Sequence, residues 1–171
     1  TLLTHGWRPR RGFIKHRWQG YNEALLLYIL ALGSPTQPID PRCYHAWTQT
    51  YEWGNFCGQE YLYAGPLFIH QLSHCWIDFR GIQDQFMRER GIDYFENSRR
   101  ATYAQRSFAI ENPLAFEGYG ESAWGINASD GPGRHTRIIA GKKRTFFGYK
   151  ARGIPFGPDD GTLAPWAVAA S

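Results

Sequence analysis

The chain has 171 residues, enough for one domain with a hydrophobic core, and aromatic residues make up 16% of it. Its net charge of +4 comes from lysines and arginines spread along the chain, and no basic cluster lies in a nucleic-acid-binding motif, so we expect no nucleic-acid partner. The three cysteines have neither CxxC nor zinc-ribbon spacing, and no apolar run is long enough to span a membrane.

The residues up to 112 show apolar patterns of helical period, separated by glycine and proline. Gly33 and Pro35 end the first helix, and Pro41 begins the second. Helices are predicted at residues 22–32, 41–51, 66–90 with a break or bend at Gly81, and 99–110 with Ser98 as N-cap; residues 54–63 are predicted as loop.

From residue 117 to residue 160 glycine is too frequent for a long helix. We interpret this part as a long irregular segment, and its many aromatic residues favour an ordered, functional loop. The final LAPWAVAA predicts the first turns of another helix. Since no run alternates convincingly, the sequence predicts helices joined by long loops.

Glu23 is the sharpest candidate for acid–base chemistry. It begins an almost wholly apolar helix beside the rings of Trp18 and Tyr21. Burial in such surroundings raises a carboxyl pKa toward general-acid use. The same position is also typical of a carboxylate that only stabilises a helix N-terminus.

Two histidines and an aspartate share one face of the predicted third helix, at i, i+4 and i+8. His70, His74 and Asp78 could bind a transition metal, but the HExxH glutamate is absent, and the face is equally suited to line a cleft. We therefore expect no metal and no other cofactor. Trp76 could stack on a sugar ring while Asp78 and Arg80 bind its hydroxyls.

Three carboxylates lie in turn-like sequences of the glycine-rich segment. Asp130, Asp159 and Asp160 could be ordinary turn residues, and the other ligands of a calcium loop are missing. If they face a cleft, they are candidates for activating a water molecule.

Five motifs together resemble one known family. They are GYNEALLLYILALGSPT, EYLYAGPLFIHQLSHCWIDFRG, DYFENSRRATYAQR, GYGESAWGINASDGPG and PDDGTLAPWAVAAS. They are similar to the bacterial glucoamylase-like domain of endo-β-1,2-glucanases and of the C-terminal part of cyclic β-1,2-glucan synthases. The resemblance extends from about Gly12 to the end, with Asn127 where the family has Thr.

This resemblance implies an all-α fold, part of an (α/α)6 toroid with long irregular loops and the active site where these loops gather. Residues 1–171 are expected to be the later part of a single such domain, a fragment that lacks the N-terminal helices.

The resemblance also implies a glycoside hydrolase that acts on β-glucan, preferably β-1,2-linked, in the periplasm or outside the cell. Glu23 would be the general acid, and Asp130 and Asp160 are our nominees for the base. From the residues themselves, we expect sugar to be bound by aromatic rings and neighbouring polar groups, namely Trp18, Tyr21, Trp76, Asp78, Arg80, Trp124 and Asp159. The alternative is a glucan-binding or scaffold domain without catalysis.

Overall fold

The computed structural model describes residues 1–171 and has mixed secondary structure, with 32% of the residues in helices and 18% in strands. The all-α prediction is therefore wrong. The helices are α1 (Ala24–Leu32), α2 (Pro41–Thr48), α3 (Gln85–Arg90), α4 (Tyr94–Glu111) and α5 (Pro165–Ala169), with 3-10 turns at Leu67–His70 and Leu72–Cys75. No helix is long and apolar enough to cross a membrane.

Eight short strands pair into four antiparallel sheets of two strands each. The strands are β1 (Trp7–Arg8), β2 (Gly12–Phe13), β3 (Trp53–Phe56), β4 (Gln59–Leu62), β5 (Ala128–Ser129), β6 (His135–Ile139), β7 (Lys142–Phe146) and β8 (Lys150–Ala151). The pairs are β1–β2, β3–β4, β5–β8 and β6–β7. The predicted loop at 54–63 is therefore a hairpin, and the segment predicted to be irregular contains another.

Two-residue turns with positive φ make both longer hairpins possible. The turn between β3 and β4 has φ of 50° at Cys57 and 77° at Gly58, and the turn between β6 and β7 has 49° at Ala140 and 75° at Gly141. This backbone suits the right-handed twist of paired strands, but Asn or Asp usually occupies the first position. Cysteine and alanine there gave the sequence no hairpin signal.

The capping aspartates fix the helix starts. Asp40 accepts a hydrogen bond from the Arg42 amide at the start of α2, as its position before Pro41 allows. Asp93 caps α4 through the Glu96 amide, so this helix begins earlier than the prediction based on Ser98. The predicted helix over 66–90 is wrong for most of its length, because only short turns and α3 form there.

The core has two main parts, and α4 contributes to both. An aromatic cluster between α1, α2 and the start of α4 includes Tyr28, Trp47 and Tyr94. A second cluster packs Phe108 of α4 against Ile126 and Ile154 of the later segment. The glycine-rich half is thus held on the helical half, and its residues 152–160 lie next to the loop that follows β4.

Candidate functional site

A cleft of about 310 Å³ opens where the turn before α1 meets the loop after β4. This volume falls at the lower end of what small-ligand sites occupy. The lining residues are Gln19, Gly20, Tyr21, Asn22, Glu52, Tyr63, Ala64, Gly65 and Ile69.

Asn22 shapes the near wall of this cleft. Its side-chain amide donates to the carbonyls of Gln19 and Gly20, at 2.9 and 3.0 Å, and its oxygen accepts from the Ala24 amide at 3.0 Å. Asn22 therefore supplies the hydrogen-bond acceptor for the free amide at the N-terminus of α1. Short polar side chains commonly cap helices in this way.

Glu23 therefore does not cap α1, although it lies at the N-cap position. It is half-buried at the N-cap of α1, but its side chain makes no cap hydrogen bond and no ion pair. It directly follows Tyr21 and Asn22, although its own side chain does not line the cleft. The structure thus gives no support to a purely capping role.

The far wall contains the ring of Tyr63, and the loop that carries this residue rests on a close backbone contact. The Tyr63 ring meets the Phe156 ring with 5.6 Å between centroids, and Phe156 is 74% exposed. A Cβ atom on Gly153 would lie 2.3 Å from the carbonyl carbon of Gly65, so only glycine fits there. The sequence analysis missed Tyr63 because it ends a segment predicted to be loop. It missed Phe156 because the functional prediction in that turn was assigned to the neighbouring Asp159 and Asp160.

Asp160 is engaged in a fully buried ion pair. The Arg152 guanidinium donates to both carboxylate oxygens, at 2.6 and 2.8 Å, and the amides of Phe147 and Thr162 donate to them as well. Burial opposes ionisation of Asp160, but these hydrogen bonds outweigh it and lower its pKa to about 2. Such a carboxylate stays charged and holds the loop, which favours a structural role.

Asp159 lies in a different environment from its neighbour. One oxygen accepts from the Tyr119 hydroxyl at 2.7 Å and from the Gly161 amide at 3.0 Å, while the other is buried with no partner. Burial raises the pKa of Asp159 above its usual range. Asp130, by contrast, is exposed and unpaired on the loop before β6.

The predicted sugar-stacking rings are not brought together. Trp18 stacks on the His5 ring at 3.8 Å between centroids, and Tyr21 is buried against Tyr94 and His70. Trp124 lines a separate, more apolar cavity of about 490 Å³ between α4 and α5.

Another predicted group lies outside both cavities. Trp76 is 73% exposed, and Asp78 and Arg80 form an exposed ion pair at 3.6 Å. Arg80 also places its guanidinium over the Phe95 ring, 5.1 Å from the centroid.

His70 contributes to the core rather than to a metal site. It is 1% exposed, and its ring nitrogens lie 3.4 Å from the Ala64 carbonyl and from the Asn97 amide nitrogen. The ring of His74 lies 2.9 Å from the Ser98 hydroxyl instead. The structure contains no group of three His, Cys, Asp or Glu side chains placed to hold a metal ion.

Because His70 is buried, we expect acid to destabilise the fold. Burial lowers its pKa from 6.5 to about 3, so the unfolded chain binds the proton first. The resulting stability is complete above pH 6.5 and declines as the pH falls toward 3. Urea denaturation at pH 7 and pH 5 should show a loss of roughly 2 kcal/mol attributable to this residue.

In His70→Gln the side-chain amide can still form hydrogen bonds with Ala64 and Asn97, but it does not titrate. The loss of roughly 2 kcal/mol in the free energy of unfolding between pH 7 and pH 5 should therefore disappear in this variant. His45→Gln, at an exposed position, is the matched control and should keep the loss. Equal pH dependence in His70→Gln and the unmodified protein would contradict the prediction.

Comparisons with known proteins point in one direction. Residues 15–171 match the family model described as "Putative glucoamylase". The chain is also 27% identical to an exo β-1,2-glucooligosaccharide sophorohydrolase (non-reducing end) of Parabacteroides distasonis, over 96% of its own length and 24% of the relative's.

Solved structures show the same similarity. A crystal structure named as a "putative glucoamylase" from Bacteroides caccae superposes with a TM-score of 0.77 at 29% identity, over 96% of this chain and 38% of that one. An endo-β-1,2-glucanase from Chitinophaga pinensis, in complex with sophorotriose and glucose, has a TM-score of 0.70 at 29% identity, over 89% and 35%. The chain thus spans well under half of each.

Proposed function

The chain belongs to this glucoamylase family, and from that premise we propose that it is part of a glycoside hydrolase that cleaves β-1,2-linked glucan by carboxylate acid–base catalysis. The similar proteins named for β-1,2-linked substrates support the substrate class. We further propose that residues 1–171 form the later part of a single domain, and that it acts in the periplasm or outside the cell, where such glucans occur.

The observation that carries the proposal is the free carboxylate of Glu23 beside a small-ligand cleft. If Glu23 were a helix cap, its carboxylate would accept a hydrogen bond from a backbone amide of α1. Asn22 accepts that bond instead. We assign Glu23 the protonation of the glycosidic oxygen as the bond to the leaving sugar breaks.

For the base we favour Asp130 over Asp160. A base that activates water needs a carboxylate oxygen that is free to accept the proton. Both oxygens of Asp160 are held by Arg152, whereas Asp130 is unpaired on an exposed loop. The unbonded oxygen of Asp159 is buried and Asp159 lines neither cavity, so the geometry does not support the hydroxyl-binding role predicted for it.

The proposal is tested by product analysis with the complete natural chain on linear β-1,2-glucan, with β-1,3-glucan and starch as controls. We expect short β-1,2-linked oligosaccharides from the first substrate only. Binding of β-1,2-glucan without cleavage would instead assign the protein to the non-catalytic, glucan-binding class.

The aromatic wall gives a prediction about affinity. Tyr63→Ala removes a ring that lines the cleft and should raise the Kd for a β-1,2-linked glucotriose about tenfold, which corresponds to about 1.4 kcal/mol. Isothermal titration calorimetry measures the change. Tyr149→Ala, which removes an exposed ring outside the cleft, should leave the Kd unchanged. If both variants bind alike, the sugar occupies another site.

A further inference from the structure

The β6–β7 hairpin lies in the longest stretch of the chain that has no carboxylate side chain. Between Asp130 and Asp159 the chain has no carboxylate side chain, but it has seven basic ones. They are Arg134, Arg137, Lys142, Lys143, Arg144, Lys150 and Arg152. Only Arg152 forms an ion pair, so six positive charges remain without an acidic partner.

The strand register also places two of these positive charges close to each other. Arg137 lies directly opposite Arg144 across the hairpin, and like charges in that position destabilise a strand pair. Arg144 lies over the Phe116 ring at 4.3 Å and donates to the Leu114 carbonyl, contacts that leave its charge uncompensated. An anionic partner outside the chain would relieve this repulsion.

The tip of the hairpin presents an exposed aliphatic side chain on each of its two faces. Ile138 is 79% exposed and Ile139 is 48% exposed, and as consecutive strand residues they point to opposite sides. Lys143 pairs with Ile138 and Lys142 with Ile139, so each face carries one aliphatic and one cationic side chain.

This arrangement fits a lipid surface better than a protein surface. A protein partner usually covers one face of a hairpin, whereas a bilayer surrounds an inserted tip on every side. The long lysine side chains can place their amino groups among phosphates while the isoleucines reach the acyl chains. A neutral glucan would not account for the charge.

We propose that the β6–β7 hairpin docks on an anionic membrane surface, with Ile138 and Ile139 inserted at the boundary between headgroups and acyl chains and the surrounding cations bound to lipid phosphates. The interaction goes beyond the proposed hydrolysis and does not depend on it. It would hold the enzyme at a membrane while the cleft on α1 processes glucan.

The test is co-sedimentation of the complete natural chain with vesicles of phosphatidylglycerol and phosphatidylcholine in equal parts, with vesicles of phosphatidylcholine alone for comparison. We expect binding to the anionic vesicles only, and release as salt is raised. Lys142→Gln with Lys143→Gln should lower the partition coefficient roughly fivefold per cation removed. Ile138→Ser with Ile139→Ser should also weaken binding to the anionic vesicles severalfold.

The matched control is Arg88→Gln with Arg90→Gln, which removes the same charge from exposed positions on α3 and should leave binding unchanged. Thermal melts of all variants should agree, since every substituted side chain is exposed. Equal losses in the lysine pair and the control pair would overturn the proposal, because the attraction would then reflect net charge alone. Full binding by the isoleucine variant, or no vesicle binding by the unmodified protein, would also overturn it.

Discussion

Glu23→Gln in the complete natural chain is expected to lower kcat on linear β-1,2-glucan by about two to four orders of magnitude. The amide keeps the shape of the side chain but cannot supply a proton to the departing oxygen. Since Asn22 holds the N-terminus of α1, the substitution should not disturb folding. The rate is measured as the release of new reducing ends.

The pattern across two measurements separates catalysis from binding. Glu23→Gln should retain the Kd for a β-1,2-linked glucotriose, because the amide has the same shape and can still donate a hydrogen bond to the glycosidic oxygen. Glu117→Gln makes the same chemical change at an exposed position and should keep the unmodified rate. An undiminished kcat in Glu23→Gln would exclude it as the acid and leave only the family assignment.

The helices were predictable where local rules decide them. Gly33 ends α1, and Pro41 occupies the first turn of α2, as the sequence indicates. Gly33 was also expected to have a positive φ, and this part of the prediction is wrong, because its φ is −79°. Asp93 was overlooked as the cap of α4 because Ser98, within the helix, offers an equally good local signal. The hairpins were missed because their turns use Cys57 and Ala140, whose conformation is imposed by the paired strands and not by their own preference.

The candidate site was predictable only in part, because pairing decides what a carboxylate can do. Asp159 and Asp160 occupy adjacent positions in one turn and look equivalent in sequence. In the folded chain Asp159 accepts a hydrogen bond from Tyr119 and keeps one unbonded oxygen, whereas Asp160 forms an ion pair with Arg152. No local pattern marks Arg152 as the buried cation among the many basic residues, so Asp160 was nominated as a base. Glu23 could be nominated from sequence because its motif and the capping pattern are both local, and its role as the acid stays a prediction.

Arg152→Met is expected to lower the free energy of unfolding by about 3–5 kcal/mol. Both side chains of the ion pair have no exposed surface, so the substitution leaves the Asp160 carboxylate buried without its cation. It also removes the hydrogen bond to the Ser129 carbonyl, at 2.8 Å. Urea denaturation followed by circular dichroism measures the loss. Arg80→Met, which breaks an exposed ion pair, is the control and should change stability by less than about 1 kcal/mol.

The same ion pair predicts a pH dependence with a definite sign. The pKa of Asp160 is lowered from 3.8 to about 2, so its contribution is complete above pH 4 and is lost as the pH falls toward 2. That contribution, about 2 kcal/mol, should be absent from Asp160→Asn. Asp160→Asn in the Arg152→Met background should recover part of the lost stability, because it removes the stranded charge. If Arg152→Met unfolds at the same urea concentration as the unmodified protein, the pair does not hold the loop, and Asp160 becomes available again as the catalytic base.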